Sequence, residues 1–201
     1  MAIDPEGNPV VVWQEQSKKA SWIYLKRWKN TRWQEIAGSA SGWGISGKGF
    51  AIKPTLAVSS DKIFVAWEKK RNNRSDICLK YWRIGSDSFK QLAGSASGGC
   101  ISGSGSAHSP SMEIYFYNDP IVVWSESLYG LASQIKLKYF SGFSWLDLGG
   151  SSLIQGLSDT KGNSITPAIA VDKNNRVVVV WSEDKNQDRV GDEIYLKIFK
   201  R

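Results

Sequence analysis

The sequence carries the same two-segment signature four times. A β-branched run that ends in tryptophan occupies residues 10–13, 63–67, 121–124 and 177–181, and an Ile-x-Leu-Lys segment follows at 23–26, 77–80, 135–138 and 194–197. Successive tryptophans of these runs are 54, 57 and 57 residues apart. A fixed period of this length marks one supersecondary unit that is repeated. We therefore predict a single array of four modules, at about 1–53, 54–109, 110–166 and 167–201.

Each module contains enough strand-like segments for a four-stranded antiparallel sheet. Strand A follows Pro54, Pro110 or Pro167, a polar turn such as 4–8 or 172–175 comes next, and the tryptophan run and the Ile-x-Leu-Lys segment form strands B and C. Strand D is predicted at 33–38, 89–94 and 145–150, and the fourth module has none. Four short strands per unit without helical periodicity predict an all-β fold of β-propeller blades. A β-sandwich is the alternative, but it gives no reason for the fixed period.

Composition limits the classes of function. At 41% hydrophobic residues the 201-residue chain can bury a core, and no apolar run is long enough to span a membrane, so a soluble domain is expected. The start of the chain shows no signal-peptide pattern, and we leave the localisation open, with an extracellular or cell-surface place in a bacterium as one possibility. The net charge of +7 comes without a recognised nucleic-acid-binding module, which disfavours nucleic acid as a partner.

Cysteine and histidine usage argues against metal or cofactor chemistry. Cys78 replaces the tyrosine found at Tyr24 and Tyr195, and Cys100 stands where the first module has Gly44. Because neither cysteine recurs, we expect neither a disulfide framework nor a metal site. His108 is the only histidine, so a His-based triad or a multi-His metal site within one chain is excluded. No cofactor is predicted.

The module resembles the tandem blades of bacterial sialidase-like propellers, the superfamily that includes BNR or Asp-box repeat proteins. The resemblance rests on the segments 4–13, 23–26 and 33–38 and on their counterparts in later modules. The Asp-x-x-Gly turn of this chain lies between strands A and B, whereas an Asp box joins the third and fourth strands. No motif carries the arginine cluster, the Tyr/Glu pair or the acid/base of sialidase chemistry. The resemblance therefore implies the fold and no activity.

The ends of the sequence fall inside modules. The chain opens in a strand A and stops at the end of a strand C. Two arrangements are favoured: a partial ring that belongs to a longer protein, or two chains joined head to tail into a ring of about eight blades. Closure of four blades is the third option. Either favoured arrangement requires the terminal blades to be covered.

Function is expected on the face that carries the B–C and D–A loops, because the longer connections fall there: 16–22 and 69–76, and 39–53, 95–109 and 151–166. Residues that depart from the repeat are the candidate ligand-binding residues, and they are Trp22, Trp43, Lys69, Lys70, Arg71, Arg74 and Tyr129. The tryptophans suit stacking on a sugar ring, and the basic residues suit an anionic glycan or protein. The alternatives are packing under the loops for the aromatic side chains and solubility for the charges.

The residues that keep the repeat are expected to be structural. Lys26, Lys80, Lys138 and Lys197 are predicted to pair within or between blades, and Ile45, Ile101 and Leu157 are predicted to anchor ordered crossovers. The sequence thus favours a noncatalytic recognition or assembly module for a glycan or a protein. The alternative is a fragment of a sialidase-like hydrolase whose catalytic groups lie outside this chain.

Overall fold

The computed structural model describes residues 1–127, 130–151, 153–186 and 193–199. Within them the fold is all-β, as predicted, with one short 3-10 turn at Phe116–Asn118. The strands of the first module are β1 (Ala2–Ile3), β2 (Pro9–Gln16), β3 (Ser21–Lys29) and β4 (Arg32–Glu35); those of the second are β5 (Phe50–Val58), β6 (Lys62–Arg71) and β7 (Arg74–Arg83). The third contains β8 (Ala107–Ile114), β9 (Pro120–Glu126), β10 (Gln134–Phe140) and β11 (Trp145–Asp147), and the fourth contains β12 (Asn163–Val171), β13 (Val177–Asp184) and β14 (Glu193–Phe199).

Every module is an antiparallel meander in chain order. β8 to β11 form one sheet and β12 to β14 form another. The first two modules are linked into one sheet by a single parallel pair, Ser21 with Phe50. No helix of the described residues is long and apolar enough to cross a membrane.

The structure corrects the position of strand A. The strand begins before the proline and continues through it with a shift in register, between Ile52 and Thr55, His108 and Ser111, and Ile165 and Ala168. The residue before each proline, Lys53, Ser109 or Thr166, has a φ of 50–53°. Proline cannot donate a hydrogen bond to the ladder, so it is accommodated at a bulge. The same bulge recurs in three modules.

Strand D is shorter than predicted. β4 and β11 end at Glu35 and Asp147, and in the second module only Lys90 makes a ladder contact, with Tyr81. The following Ala-Gly or Gly-Gly pair has positive φ in all three modules, at 37–38, 93–94 and 149–150. Two successive left-handed residues turn the chain away from the sheet, so the predicted segments 33–38, 89–94 and 145–150 are each part strand and part turn.

Consecutive modules pack face to face through the repeated residues. We call the face toward the preceding module the leading face and the opposite face the trailing face. Ile23 and Leu25 on the first trailing face share one core with Trp67 on the second leading face. Ile77 and Leu79 meet Trp124 in the same way, and Ile135 and Leu137 meet Trp181. Of the four repeated tryptophans expected in the core, Trp67, Trp124 and Trp181 are core residues, whereas Trp13 is only partly buried.

Polar contacts repeat at the same interfaces. In the second to fourth modules, the lysine that closes the Ile-x-Leu-Lys segment donates to a loop carbonyl of the preceding module: Lys80 to Ile45 (2.8 Å), Lys138 to Ile101 (3.4 Å) and Lys197 to Leu157 (3.1 Å). The acceptors belong to the buried crossover anchors, whose own N–H groups bond the Ile23, Ile77 and Ile135 carbonyls at 2.7–2.8 Å. The predicted structural roles are confirmed for Lys80, Lys138 and Lys197 and for the three anchors, whereas Lys26 in the first module makes no hydrogen bond or ion pair among the described residues.

The expectation for the cysteines was wrong. Cys78 in β7 and Cys100 in the following crossover form a disulfide, with their Cα atoms 4.7 Å apart. In the first module the same two positions hold Tyr24 and Gly44, and a Cβ on Gly44 would lie 2.5 Å from the Tyr24 ring. The third module has Lys136 and Gly156 there. The disulfide thus stands where the first module packs Gly44 against the Tyr24 ring, and this correspondence of positions was the sequence signal for it.

We predict that removing the disulfide destabilises the chain by an amount that depends on the residue at position 100. The bond spans 22 residues, so Cys78→Ala/Cys100→Ala should lower the free energy of unfolding by about 3 kcal/mol. Cys100 has a φ of 60°, which glycine adopts without steric cost. Cys78→Ala/Cys100→Gly should therefore retain about 1 kcal/mol more than the alanine pair in urea unfolding. Equal midpoints for the two variants would contradict backbone strain at position 100.

Candidate binding site on the loop face

The B–C and D–A connections lie together at one end of the modules, which we call the loop face. Among the described residues, the backbone hydrogen bonds that join the two kinds of connection include Ser21 N–H to Gly49 O (3.1 Å), Ser75 N–H to Gly105 O (2.8 Å) and Ser164 N–H to Ser133 O (2.8 Å). The crossovers are thus fixed to the hairpins beside them. Side chains at this end are carried by an ordered frame.

The B–C connections themselves are shorter than predicted. The strands of the second module continue to Arg71 and resume at Arg74, so the expected loop 69–76 is a two-residue turn, Asn72-Asn73. Asn72 has a φ of 52°, a left-handed conformation that asparagine tolerates and that tight hairpins require. Lys69 and Lys70 are strand residues at the end of β6. The first connection likewise spans only 17–20.

A groove between the hairpin tip and the crossover is present in the second and third modules. In the second module it is a cavity of about 350 Å³, lined by Arg71, Asn72, Arg74, Asp76, Gly98 and Gly99. In the third it is a cavity of about 340 Å³, lined by Glu126, Leu131, Ala132, Gln134, Ile154, Gln155, Thr160 and Lys161. Asp76 and Gln134 occupy the same module position, as do Gly99 and Gln155. The scaffold therefore repeats one groove and varies its lining.

The two candidate tryptophans occupy this same position in the first module. Trp22 stands in place of Asp76, and Trp43 in place of Gly99. Trp43 is 51% exposed, and the Lys48 Nζ lies 4.3 Å from the centre of its ring. Trp22 is a partly buried residue of β3, paired with Glu15 across the ladder, and its indole N–H has no hydrogen-bond partner. Among the described residues no ring contact joins the two tryptophans.

The groove of the second module has a positive lining held in place by one buried acid. The Asp76 Oδ1 accepts the Gly105 N–H (2.9 Å) and the Ser102 hydroxyl (3.1 Å), and its Oδ2 lies 3.6 Å from an Arg71 nitrogen. The Arg71 guanidinium also donates to the Gly98 carbonyl, while half of its side chain stays exposed. The two positive charges of Arg71 and Arg74 exceed the one negative charge of Asp76. Guanidinium groups of this kind pair with carboxylates or sulfates in fixed geometry.

Lys69 occupies a position where the other modules carry an acid with a structural task. The indole N–H of Trp13 donates to Glu15 (2.9 Å), that of Trp124 to Glu126 (2.8 Å) and that of Trp181 to Glu183 (3.2 Å). In the second module lysine cannot accept this bond, and the buried Trp67 indole N–H has no partner. A buried donor without an acceptor costs about 1–3 kcal/mol. Lysine at position 69 therefore makes the hairpin more basic and lowers the stability of the module.

Sequence reasoning missed a second cluster beside the basic hairpin. The Glu68 carboxylate, only 1% exposed, lies 3.0 Å from the His108 Nδ1, and the Ser109 N–H donates to it at 3.2 Å. Lys53 and Lys70 place their Nζ atoms 3.6 and 3.9 Å from the same carboxylate. Both central residues break the repeat, which has Gln14, Ser125 or Ser182 at one position and Ile52 or Ile165 at the other. That departure was the available signal.

The environment of Glu68 lowers the pKa of its carboxyl group. Burial alone would raise this pKa, but hydrogen bonds from His108 and the Ser109 amide, with the positive charges of His108 and Lys53, lower it from 4.5 to about 2. The carboxylate therefore stays ionised under all but strongly acidic conditions. It holds His108 and Lys53 at the border of the second and third modules.

Of the remaining candidates, Lys70 is exposed beside Glu68, and Tyr129 lies outside the described residues. The structure therefore brings Lys69, Lys70, Arg71 and Arg74 to one hairpin and places Trp22 and Trp43 in the neighbouring module. Within the described part of the chain, no three His, Cys, Asp or Glu side chains converge as metal ligands.

Comparison with solved structures gives the fold class. The chain is similar to a Trypanosoma rangeli sialidase in complex with sialic acid (TM-score 0.62, 11% identity, covering 96% of this chain and 30% of the sialidase). It is similar to a Penicillium chrysogenum α-L-arabinanase complexed with arabinobiose (TM-score 0.60, 13% identity, 97% and 60%) and to a Dyadobacter fermentans protein of unknown function (TM-score 0.59, 12% identity, 96% and 50%). The fold resembles the sialidase-like β-propellers.

The sequence itself gives no closer assignment. No protein-family model matches the chain, and no curated protein matches it. The chain spans less than two thirds of the length of each of these three solved structures. At 11–13% identity the likeness concerns the fold alone.

We predict that Glu68 contributes an acid-sensitive part of the stability. Its folded pKa is about 2 against an ordinary 4.5, so the contribution is complete above pH 4.5 and is lost as the pH falls from 4.5 to 2. It amounts to roughly 3 kcal/mol. Glu68→Gln should lower the free energy of unfolding at pH 7 and flatten its decline over that range, as measured by urea unfolding at several pH values. Glu35→Gln, at an exposed position, should keep the decline; an unchanged slope in Glu68→Gln would rule out this role.

Proposed function

We propose that this chain is a noncatalytic recognition module that binds an acidic oligosaccharide on its loop face. The observation that carries the proposal is the basic hairpin of the second module, where Lys69 leaves the buried Trp67 indole N–H without a partner. Sequences that break a local structural rule without a structural gain usually do so at functional sites. The replacement of the usual acid by Lys69 adds to a group of four basic residues beside an open groove, and such a group can bind an anion.

The two neighbouring grooves suit successive sugar residues of one ligand. The groove of the second module offers guanidinium groups for a carboxylate or a sulfate. The groove of the third module combines Leu131 and Ile154 with the Gln155 and Lys161 side chains, a mixture of apolar and polar groups that matches a sugar ring. The exposed Trp43 adds a stacking surface on the same face, one module away.

Two further observations support this proposal. The sialidase and the arabinanase among the similar structures were solved with a sugar bound, and fold kinship makes a carbohydrate a reasonable first ligand class. The Cys78–Cys100 disulfide is of a kind that persists in oxidising compartments. This disulfide supports a proposed location outside the cytoplasm, where polysaccharides are encountered.

A glycan array with uronic, sialylated, sulfated and neutral members tests the ligand class. We expect binding to acidic glycans that weakens with added salt, because exposed charges are screened. Release of reducing sugar from a bound glycan would favour the hydrolase alternative instead. Binding to none of these glycans would contradict the proposal and leave a protein as the ligand to be sought.

We predict that the arginines of the groove carry affinity and that a matched arginine elsewhere does not. Arg71→Ala/Arg74→Ala should weaken binding of oligogalacturonate about 10-fold or more, equivalent to at least 1.4 kcal/mol. Isothermal titration calorimetry measures the effect, with maltohexaose as the neutral ligand. Arg83, at the opposite end of β7 and 64% exposed, provides the control. If Arg83→Ala weakens binding as much as the double variant, the attraction is general and the groove is not the site.

We also predict that a substitution of Lys69 can raise the stability of the chain while it lowers the affinity for the ligand. Lys69→Gln supplies an acceptor for the Trp67 indole N–H and removes one positive charge from the hairpin. Glutamine is preferred to glutamate because position 69 lies opposite Asp76 across the ladder. Thermal and urea unfolding should show a gain of about 1 kcal/mol, and the affinity for acidic glycans should fall. A variant that is less stable than the parent would show that lysine is the better structural choice.

A further inference from the structure

The strongest unexplained feature lies on the trailing face of the fourth module. Ile194, Leu196 and Ile198 of β14 are 75%, 57% and 51% exposed. Their counterparts Ile23 and Leu25, Ile77 and Leu79, and Ile135 and Leu137 are all 0% exposed. Val178 and Val180 of β13 extend the same face. Residues of one repeated pattern are thus core in three modules and bare in the fourth.

The leading face of the first module is partly uncovered: Tyr24 is only 8% exposed, whereas Trp13 and Lys26 are partly exposed. Trp13, Tyr24 and Lys26 hold the positions of Trp67, Cys78 and Lys80, which the first module covers. Met1 and Ile3 on the same face are 84% and 56% exposed. Lys26 makes no hydrogen bond or ion pair among the described residues, although its three counterparts each donate across a module interface. This face therefore presents a lysine donor like those that bond a preceding module elsewhere in the chain.

We propose that these two faces bind each other between two copies of this chain, head to tail. The three interfaces within the chain show that an Ile-x-Leu trailing face and a tryptophan-bearing leading face are complementary. One copy presents both, at opposite ends. Exposed apolar faces of this kind mark association sites. Two copies joined in this way make two equal joints and close a ring of eight modules, within the range of known propellers.

Charge at the two ends favours the same pairing. The first hairpin carries Lys18 and Lys19 with no acid between Ser17 and Ser21. The fourth module has Asp184, Asp188, Asp192 and Glu193 against Lys185 and Arg189 in the corresponding stretch. In sequence, a head-to-tail arrangement pairs the module that bears the basic stretch 17–21 with the module that bears the acidic stretch 184–193, and opposite charges favour such a pairing.

Light scattering coupled to size exclusion, with native mass spectrometry, tests this on the full 201-residue chain. We expect a particle of twice the 22.4 kDa chain mass. Leu196→Glu on the trailing face, or Ile3→Glu/Lys26→Glu on the leading face, should each give a monomer, because either change damages both joints. Phe143→Glu, at a turn residue that is 90% exposed, should leave the dimer intact. Near-ultraviolet circular dichroism checks that each variant is folded.

Mixing the variants separates a head-to-tail joint from a symmetric one. An equimolar mixture of Leu196→Glu and Ile3→Glu/Lys26→Glu retains one undamaged joint, so heterodimers should reappear. A parent chain that stays monomeric at all concentrations would overturn the proposal. So would a dimer that survives either variant, or a series of larger oligomers, which would indicate a joint that does not close. In the monomeric case the two faces would belong against blades outside this chain.

Discussion

The packing of one module on the next is the interaction on which the rest of this structure depends. An isolated sheet of three or four strands has a core on neither side, and the trailing-face Ile and Leu become buried only when the next module supplies a tryptophan. Each such side chain contributes roughly 1.5–3 kcal/mol when it is fully buried. The lysine-to-carbonyl bonds then fix the register of neighbouring modules, since each ties a strand to the crossover anchor before it. Stability in such arrays is a sum of modules and interfaces.

This packing fixes where variation is tolerated. The residues at the interfaces are restricted in volume and polarity, whereas the hairpin tips and crossovers at the loop face contact mainly one another. Backbone hydrogen bonds between hairpin and crossover hold that frame, so side chains can change without moving it. The groove is consequently lined by arginine in the second module and by a mixture of apolar and polar groups in the third, and tryptophans hold the corresponding positions in the first.

Features that several modules share could be predicted from the sequence, whereas features that occur in only one module were missed. The strands, the core tryptophans, the crossover anchors and the interface lysines were found because three or four copies agreed. The proline bulge was missed because an apolar strand and a proline suggest a strand that starts at the proline. The loop 69–76 was misjudged because its basic residues hid a hairpin whose turn is only two residues long.

The features found only in the structure are contacts between two residues that both differ from the repeat. Such a contact can be recognised in the sequence only when the two differences are compared with each other. Cys78 and Cys100 each appeared as isolated exceptions and Glu68 was passed over, and the structure places Cys78 against Cys100 and Glu68 against His108. All four residues belong to the second module or its border with the third. The same module bears the basic hairpin and the unpaired Trp67 indole N–H. The disulfide, between β7 and the following crossover, and the Glu68 cluster are further departures from the repeat in this module. Coincident exceptions to a repeat are therefore stronger indicators of function than any single unusual residue.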